Sequence, residues 1–196
     1  MTFPSFLFQP TSGDKIELLA TKIISQYQPE VLTGNAAFDV NRFVDTKLED
    51  MTGVTPIYTN DLPPEIFGLT DSAENRLEIQ AALAEDPFSV NFFRSTLAHE
   101  TGHCIMHVPQ LRTIKRNQVF RQAKGDDSIQ LYRKDNIPVY CNPEWQAWRF
   151  AGALLMPEKP LRMMIMDGVS QSDIAEYLAV NISFLKVRLK ALKMQN

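Results

Sequence analysis

Two histidines separated by three residues, with a glutamate directly after the first, are the feature that most constrains what this chain can fold into. They are His99, Glu100 and His103. Apolar residues flank the motif on both sides, at Phe93, Leu97, Ala98, Ile105 and Met106. A helix with such flanks is expected to be buried, and buried imidazoles without a partner are costly. The pattern therefore predicts a buried helix whose histidines bind a partner.

The spacing of the three polar residues is that of a metal site. On a helix, residues four apart lie about 6 Å apart and differ by about 40° in direction, so His99 and His103 can bind one metal ion. Glu100 points roughly 80° away from that pair, which suits a carboxylate that contacts a water without binding the metal. The order His-Glu-x-x-His on a helix is a signature of zinc-dependent peptidases. It predicts a zinc site with Glu100 as the catalytic base; the alternative interpretation is a solvated helix whose histidines happen to share a face.

A catalytic zinc ion usually has a third protein ligand and one open position. His107 is the nearest candidate, but it lies one turn further along the same helix, and three ligands in one row cannot easily surround a tetrahedral ion. Glu144 is favoured, because it opens a predicted helix at residues 143–156 whose alanines would let it approach the histidine helix closely. Cys104 and Cys141 are weaker alternatives, since lone cysteines are more often buried thiols.

The rest of the chain predicts an α+β fold. Apolar residues at helical spacing predict a first helix that ends before Pro29, and a second helix that begins at Asp39 and ends at Gly53. Three β-prone segments predict a small antiparallel sheet, at residues 54–59, 65–70 and 76–81. Further helices are predicted at residues 90–107, 143–156, 172–178 and 183–192, the first ended by Pro109 and the last two arranged as a helix-turn-helix.

The predicted organisation is one catalytic domain with a short helical extension. At 196 residues the chain is long enough to bury one substantial core. Residues 1–158 are assigned to the catalytic domain and residues 159–196 to a C-terminal helical pair packed on it. Residues 110–142 are polar and less regular, with possible strands at 128–133 and 138–140, and are interpreted as an insertion beside the site.

The composition excludes several classes of protein. The net charge of −3, from 20 Lys and Arg against 23 Asp and Glu, argues against a protein that coats nucleic acid or an anionic membrane. No apolar run approaches the roughly 18 residues needed to span a bilayer. Two cysteines are too few for a disulfide framework. Reduced thiols in a cytoplasmic protein are therefore expected.

The last predicted helix favours a different function. It is basic, through Lys186, Arg188, Lys190 and Lys193. Such a helix could contact DNA, so the alternative is a DNA-binding or protein-binding transcriptional regulator with a structural metal site. A structural zinc is usually closed by four protein ligands, commonly including cysteine, whereas this motif places a carboxylate beside an open position. That contrast favours catalysis.

The segment from Glu144 to Pro157 completes a second pattern, Glu-x-x-Ala-x-x-Phe-Ala-x-x-Leu-Leu-Met-Pro. Together with the His-Glu-x-x-His motif, it resembles the ImmA/IrrE family of bacterial and phage metallo-endopeptidases. The resemblance implies a minimal zincin-like fold, with His99, His103 and Glu144 as the zinc ligands. It also implies that Glu100 is the catalytic residue, and it favours Glu144 as a ligand over other carboxylates, namely Asp126, Asp127, Asp135 and Glu158.

The resemblance also implies a substrate class. Members of the family typically act inside bacteria on helix-turn-helix repressors of mobile-element or stress genes, so a repressor of this kind is the implied partner. Glu144 follows His103 by 41 positions, more than a compact member would need, which is why residues 110–142 are interpreted as an insertion that forms a flap or a partner surface. An edge strand within residues 54–81 is expected to hold an extended substrate by main-chain hydrogen bonds.

Overall fold

The computed structural model describes residues 8–113, 119–123 and 138–194. Its first helix is α1 (Gly13–Tyr27). Ser12 caps this helix, because its side chain accepts a hydrogen bond from the backbone N–H of Lys15 in the first turn. The buried face of α1 is formed by Ile16, Ala20, Ile23 and Ile24, at the spacing that predicted the helix. A short 3-10 helix (Pro29–Thr33) follows, because proline begins a helical turn readily but cannot continue the preceding one.

The second predicted helix is confirmed, with an internal irregularity. It runs as α2 (Val40–Phe43), a π-helical segment (Val44–Leu48) and α3 (Glu49–Thr52). The Asp39 side chain accepts a backbone hydrogen bond at its start. Gly53 ends it with a φ of 66°, a left-handed conformation that favours glycine.

The sheet has four strands among the described residues, β1 (Thr55–Thr59), β2 (Ile66–Asp71), β3 (Arg76–Gln80) and β4 (Val119–Ala123), in the order β1-β3-β2-β4. The β2–β3 and β2–β4 pairs are antiparallel, but β1 and β3 are parallel. The expectation of a wholly antiparallel sheet is therefore wrong in one pairing. The chain leaves β1 and forms β2 two strand positions away, in the direction opposite to β1. It then returns as β3 in the gap between them, antiparallel to β2 and therefore parallel to β1. The three expected strands are confirmed, and β4 was not predicted.

The remaining helices are α4 (Ala81–Glu85), α5 (Val90–Met106), α6 (Val108–Thr113), α7 (Pro143–Leu155), α8 (Glu158–Met166), α9 (Gln171–Tyr177) and α10 (Ile182–Ala191), and α4 and α5 pack against the sheet. The four helices predicted after the sheet correspond to α5, α7, α9 and α10. Neither α6 nor α8 was predicted, because each has a proline at or just before its first turn, at Pro109 and Pro157, and proline is as compatible with a helix start as with a helix end.

Two predictions within the proposed insertion have different outcomes. The strand expected at residues 138–140 is wrong, since the chain forms a 3-10 helix (Val139–Cys141) there. The strand expected at residues 128–133 lies outside the described residues. The division of the chain into residues 1–158 and 159–196 stays a prediction. In the described part of the chain, no helix is both long enough and apolar enough to cross a bilayer.

The closest helix packing in the core joins α5 to α7. Gly102 of α5 faces Ala147 of α7, and a Cβ atom at Gly102 would lie 3.1 Å from the Ala147 Cα and 3.2 Å from its carbonyl oxygen. Ala147 and Ala151 are fully buried. As the alanine spacing predicted, small residues let the two backbones approach, and this brings the first turn of α7 beside the middle of α5.

Replacing Gly102 with alanine should therefore destabilise the protein. An added methyl group meets backbone atoms that cannot rotate away, at a cost of about 1–3 kcal/mol, which exceeds or cancels the gain of about 1 kcal/mol in helix propensity. Urea unfolding measures the difference. Gly152→Ala is the matched control, because its Cβ would meet the Arg188 side chain at 3.2 Å and not a backbone atom. Equal stability changes in the two variants would contradict the proposed backbone contact.

Candidate metal centre

Three side chains from α5 and α7 converge on one point. His99 and His103 lie one turn apart on α5, and their Nε2 atoms are 3.1 Å apart. Glu144, in the first turn of α7, places Oε2 at 3.2 Å from His99 Nε2 and Oε1 at 3.3 Å from His103 Nε2. One ligand atom from each residue lies within 4.8 Å of the other two. The structure thus brings together the three residues that the sequence suggested as metal ligands.

The chemistry of this group fits a divalent metal ion. Two imidazole nitrogens and one carboxylate oxygen form the ligand set of many catalytic zinc sites. Both histidines are fully buried, so their Nε2 atoms have no access to solvent. Burial alone would raise the pKa of Glu144, but His103 and His99 oppose this effect and hold the pKa well below its usual range. Glu144 is therefore an anionic carboxylate facing two imidazoles, which is an arrangement suited to a cation.

The start of α7 determines where Glu144 lies. Asn142 caps this helix, because its Oδ1 accepts hydrogen bonds from the backbone N–H groups of Glu144, at 2.9 Å, and Trp145, at 3.3 Å. Pro143 occupies the first helical position, where a missing N–H has no consequence. The cap fixes the first turn, and the packing of α7 on α5 then points this turn toward the histidines.

His107 is not one of the three converging donors, but it contacts one of them, His103. Its Nδ1 lies 3.0 Å from His103 Nδ1, and its Nε2 lies 2.9 Å from Gln146 Oε1. The amide nitrogen of Gln146 donates to the carbonyl oxygens of Gln9 and Tyr140, so its oxygen must face His107 as an acceptor. Burial lowers the pKa of His107 to about 3, which keeps the ring neutral.

These contacts determine the tautomer of His103. Because Gln146 Oε1 accepts, His107 carries its single proton on Nε2, and its Nδ1 is an acceptor. His103 must then donate from Nδ1, so its Nε2, which faces Glu144 and His99, is the nitrogen that can bind a metal ion. This is the tautomer that a metal ligand needs, and an outer partner of this kind usually fixes it.

Glu100 lies beside the converging donors, fully buried. Its Oε2 accepts a hydrogen bond of 2.6 Å from the Thr70 hydroxyl of β2, while its Oε1 has no partner among the described residues. Burial raises the pKa of Glu100 to about 7, although His103 and the Thr70 hydrogen bond act in the opposite direction. The carboxylate therefore has one fixed oxygen and one unpartnered oxygen, and its proton affinity is higher than usual.

The strand β2 also makes room for Glu100. A Cβ atom at Gly68 would lie 2.8 Å from the Glu100 Cγ atom, closer than real Cβ contacts come. Sequence reasoning missed both Gly68 and Thr70. A glycine inside a predicted strand was a usable signal, because it often marks the close approach of another group. Thr70 had no such signal, since it lies 30 positions from its partner and only the fold brings them together.

Trp148 covers the other side of the centre and was also missed. It lies one turn after Glu144, and its ring stacks on His99 with centroids 4.3 Å apart and planes inclined by 37°. The Nδ1 atom of His99 has no hydrogen-bond partner in the part of the chain that the structure describes. The His99 ring is thus held by aromatic packing, whereas the His103 ring is held by hydrogen bonds.

The weaker ligand candidates do not join the centre. Cys104 and Cys141 are buried thiols outside the three-donor group, as their usual role suggests. Glu158 pairs instead with Arg162, at 2.7 Å. The described residues do not include the remaining candidates, Asp126, Asp127 and Asp135.

The expectation that an edge strand within residues 54–81 holds the substrate stays a prediction. The strand that contacts Glu100 is β2, which lies inside the sheet between β3 and β4. Within residues 54–81 only β1 is an edge strand, and it lies on the opposite side of the sheet from β4. Among the described strands, the edge nearer to β2 is β4, which lies outside residues 54–81.

A peptidase family model, described as the IrrE N-terminal-like domain, matches residues 85–190, more than half of the chain. The matched segment contains α5 and α7, which carry the three converging donors, but not Gly68 or Thr70. No curated protein matches the chain. The chain therefore belongs to the IrrE N-terminal-like family of metallopeptidases, which confirms the resemblance seen in its sequence.

Proposed function

We propose that this protein is a zinc-dependent endopeptidase that hydrolyses a peptide bond in a protein substrate. The observation that carries the proposal is the convergence of three metal-ligating side chains beside a buried glutamate with an unpartnered oxygen. This combination supplies a binding site for a cation and a proton acceptor next to it. A regulator with a purely structural metal site does not need a proton acceptor beside the metal.

Each residue of the centre has a distinct role in the proposal. His99 and His103 bind the ion through Nε2, and Glu144 binds it through its carboxylate. Zinc held there would polarise the scissile carbonyl and lower the pKa of a water molecule. Glu100 takes a proton from the attacking water at its unpartnered Oε1 and later delivers a proton to the leaving amine. Thr70 holds the other carboxylate oxygen, so that Oε1 keeps its direction.

The proposed substrate is a helix-turn-helix transcriptional repressor of a mobile element or stress regulon, and the proposed location is the cytoplasm. Support comes from the family, whose members typically act on such repressors inside bacteria. The histidines and Glu100 are buried, and the Glu144 side chain is 24% exposed. A substrate must therefore present a locally extended segment to reach the centre.

The alternative, a DNA-binding regulator, is less well supported by the C-terminal helices. The expected pair exists as α9 and α10. However, Arg188 is 2% exposed, and its guanidinium donates to the Glu17 carboxylate and to the Met156 carbonyl oxygen. Arg188, one of the four basic residues expected to contact DNA phosphates, is therefore buried and paired inside the protein.

The proposed ligand set predicts which substitutions abolish zinc binding. His99→Ala, His103→Ala and Glu144→Gln should each weaken zinc binding by at least about a hundredfold, more than the loss of an outer partner usually costs. Glu100→Gln should retain one zinc per chain, because Glu100 is not a ligand. Elemental analysis after dialysis against a weak chelator measures both. Retention of zinc in Glu144→Gln would remove Glu144 from the ligand set.

The proposed mechanism predicts that Glu100→Gln separates metal binding from activity. The native protein, incubated with a helix-turn-helix repressor encoded beside its gene, should cleave the repressor, and the zinc-loaded variant should cleave it at least about a hundredfold more slowly, because it lacks the proton acceptor. Gel electrophoresis and mass spectrometry of the products measure the outcome. Equal cleavage by the two proteins would show that Glu100 is not the base, and absence of cleavage at full zinc occupancy would favour the regulator.

The proposed positioning role of Thr70 gives a finer test. Thr70→Val keeps the side-chain shape but removes the hydroxyl, so cleavage should slow by about tenfold to a hundredfold, as expected for a misplaced catalytic group, with zinc content unchanged. Thr70→Ser restores the hydroxyl and should recover most of the rate. Thr52→Val is the matched control, because Thr52 is also a buried threonine, bonded to the Leu48 carbonyl oxygen. A rate for Thr70→Val equal to that of this control would refute the role.

A further inference from the structure

A large cavity adjoins the metal centre on the side away from the sheet. It has a volume of about 730 Å³ and lies between the first half of α5, one face of α7 and the last helix, α10. This volume is within the range of about 300–1,000 Å³ that is typical of ligand sites. None of the proposed catalytic roles uses it.

The wall of the cavity is mainly apolar and aromatic. Phe92 of α5, Trp145 and Trp148 of α7, and Phe184 and Val187 of α10 all line it. The Trp148 and Phe184 rings pack edge to face, with centroids 5.6 Å apart, so the two helices form one continuous aromatic surface. Val187 is 64% exposed, which places it where the cavity opens to solvent. Such a surface favours large apolar side chains.

One part of the wall is cationic. The charged side chains among the described lining residues are Arg149 and Arg188, and no carboxylate lines the cavity in the described part of the chain. Behind the wall, both guanidiniums share the carboxylate of Glu17, and the carboxylates of Asp14 and Glu158 also lie near enough to act on Arg149. Arg149 Nε is buried and has no hydrogen-bond partner among the described residues. A ligand with a carboxylate would complement the Arg149 guanidinium.

Trp148 separates the cavity from the catalytic centre. The ring of this residue lines the cavity and also stacks on His99, with centroids 4.3 Å apart. A group in contact with Trp148 in the cavity is therefore separated from a proposed metal ligand by one aromatic ring. A group on the far face of this ring lies roughly 8 Å from His99, so residues two or three apart in one extended peptide, at about 3.3–3.6 Å per residue, span the cavity and the centre.

We propose that this cavity is the substrate-recognition site of the peptidase, an inference that rests on the proposed function. It takes a short extended segment of the protein substrate, adjacent to the cleaved bond, that carries large apolar side chains followed by a carboxylate. The apolar side chains contact the aromatic wall formed by α7 and α10. The carboxylate contacts Arg149. The cavity thereby selects an apolar-acidic sequence next to the cleaved bond.

The tryptophans of the protein provide a fluorescence probe for this proposal. The chain has two tryptophans, Trp145 and Trp148, and both line the cavity, so intrinsic tryptophan fluorescence reports on this site. The experiment uses the full chain carrying Glu100→Gln, loaded with zinc, so that peptides bind without being cleaved. Three peptides are titrated: Ac-Gly-Leu-Phe-Leu-Glu-Gly-NH2, a version with glutamine in place of glutamate, and a version with serine in place of the three apolar residues. Decanoate is the fourth probe, as an apolar anion without a peptide backbone.

The first peptide should change the fluorescence saturably. The serine version should bind at least about tenfold more weakly, because it buries less apolar surface, and the glutamine version about tenfold more weakly, because it lacks the charge. Val187→Glu, which adds a carboxylate at the mouth, should weaken binding of the first peptide about tenfold. Val169→Glu should leave it unchanged, since Val169 is also exposed but does not line the cavity.

Four results would overturn the proposal. They are no saturable change up to about 1 mM peptide, equal binding of the serine version, equal binding of the glutamine version, and equal binding to the Val187→Glu variant. Tighter binding of decanoate than of the first peptide would also overturn it, in favour of a small apolar anion as the ligand. The outcome is separable from that of the proposed function, because repressor cleavage without peptide binding refutes only the cavity assignment. Peptide binding without repressor cleavage refutes only the peptidase assignment.

Discussion

The contact between Gly102 of α5 and Ala147 of α7 is the interaction on which the rest of the site depends. The distance between two packed helices, about 8–10 Å, depends on the side chains at their crossing point. Here the absent side chain at Gly102 brings the backbones together. Glu144, one turn before Ala147, then reaches the Nε2 atoms of His99 and His103. Helix packing and metal chemistry are thus linked by a single glycine.

Each side chain of the centre is held in place by a different kind of interaction. Hydrogen bonds through His107 to Gln146 fix the tautomer of His103, and aromatic packing by Trp148 holds His99. Glu100 is held by one hydroxyl group from the sheet, and its second oxygen is left unpartnered. An unpartnered buried carboxylate oxygen is costly for folding. Its presence beside three metal-ligating groups is consistent with a catalytic site that keeps a proton acceptor available.

The C-terminal helices contribute to the same region of the molecule. α10 forms a wall of the large cavity, and its Arg188 is anchored to Glu17 of α1 and to the end of α7. A basic helix that looks in sequence like a DNA-contacting element is therefore partly an internal packing element. Its lysines are exposed, while Leu185, Leu189 and Arg188 are buried.

The sequence by itself determined the elements that depend on local spacing. The fourfold spacing of His99 and His103 on one helix and the alanines along α7 are both local patterns, and they predicted the three residues that converge. The tertiary structure alone decided the rest. The contact of Thr70 with Glu100 and the parallel pairing of β1 with β3 depend on which strand lies beside which element, and no local pattern encodes a contact between residues 30 positions apart.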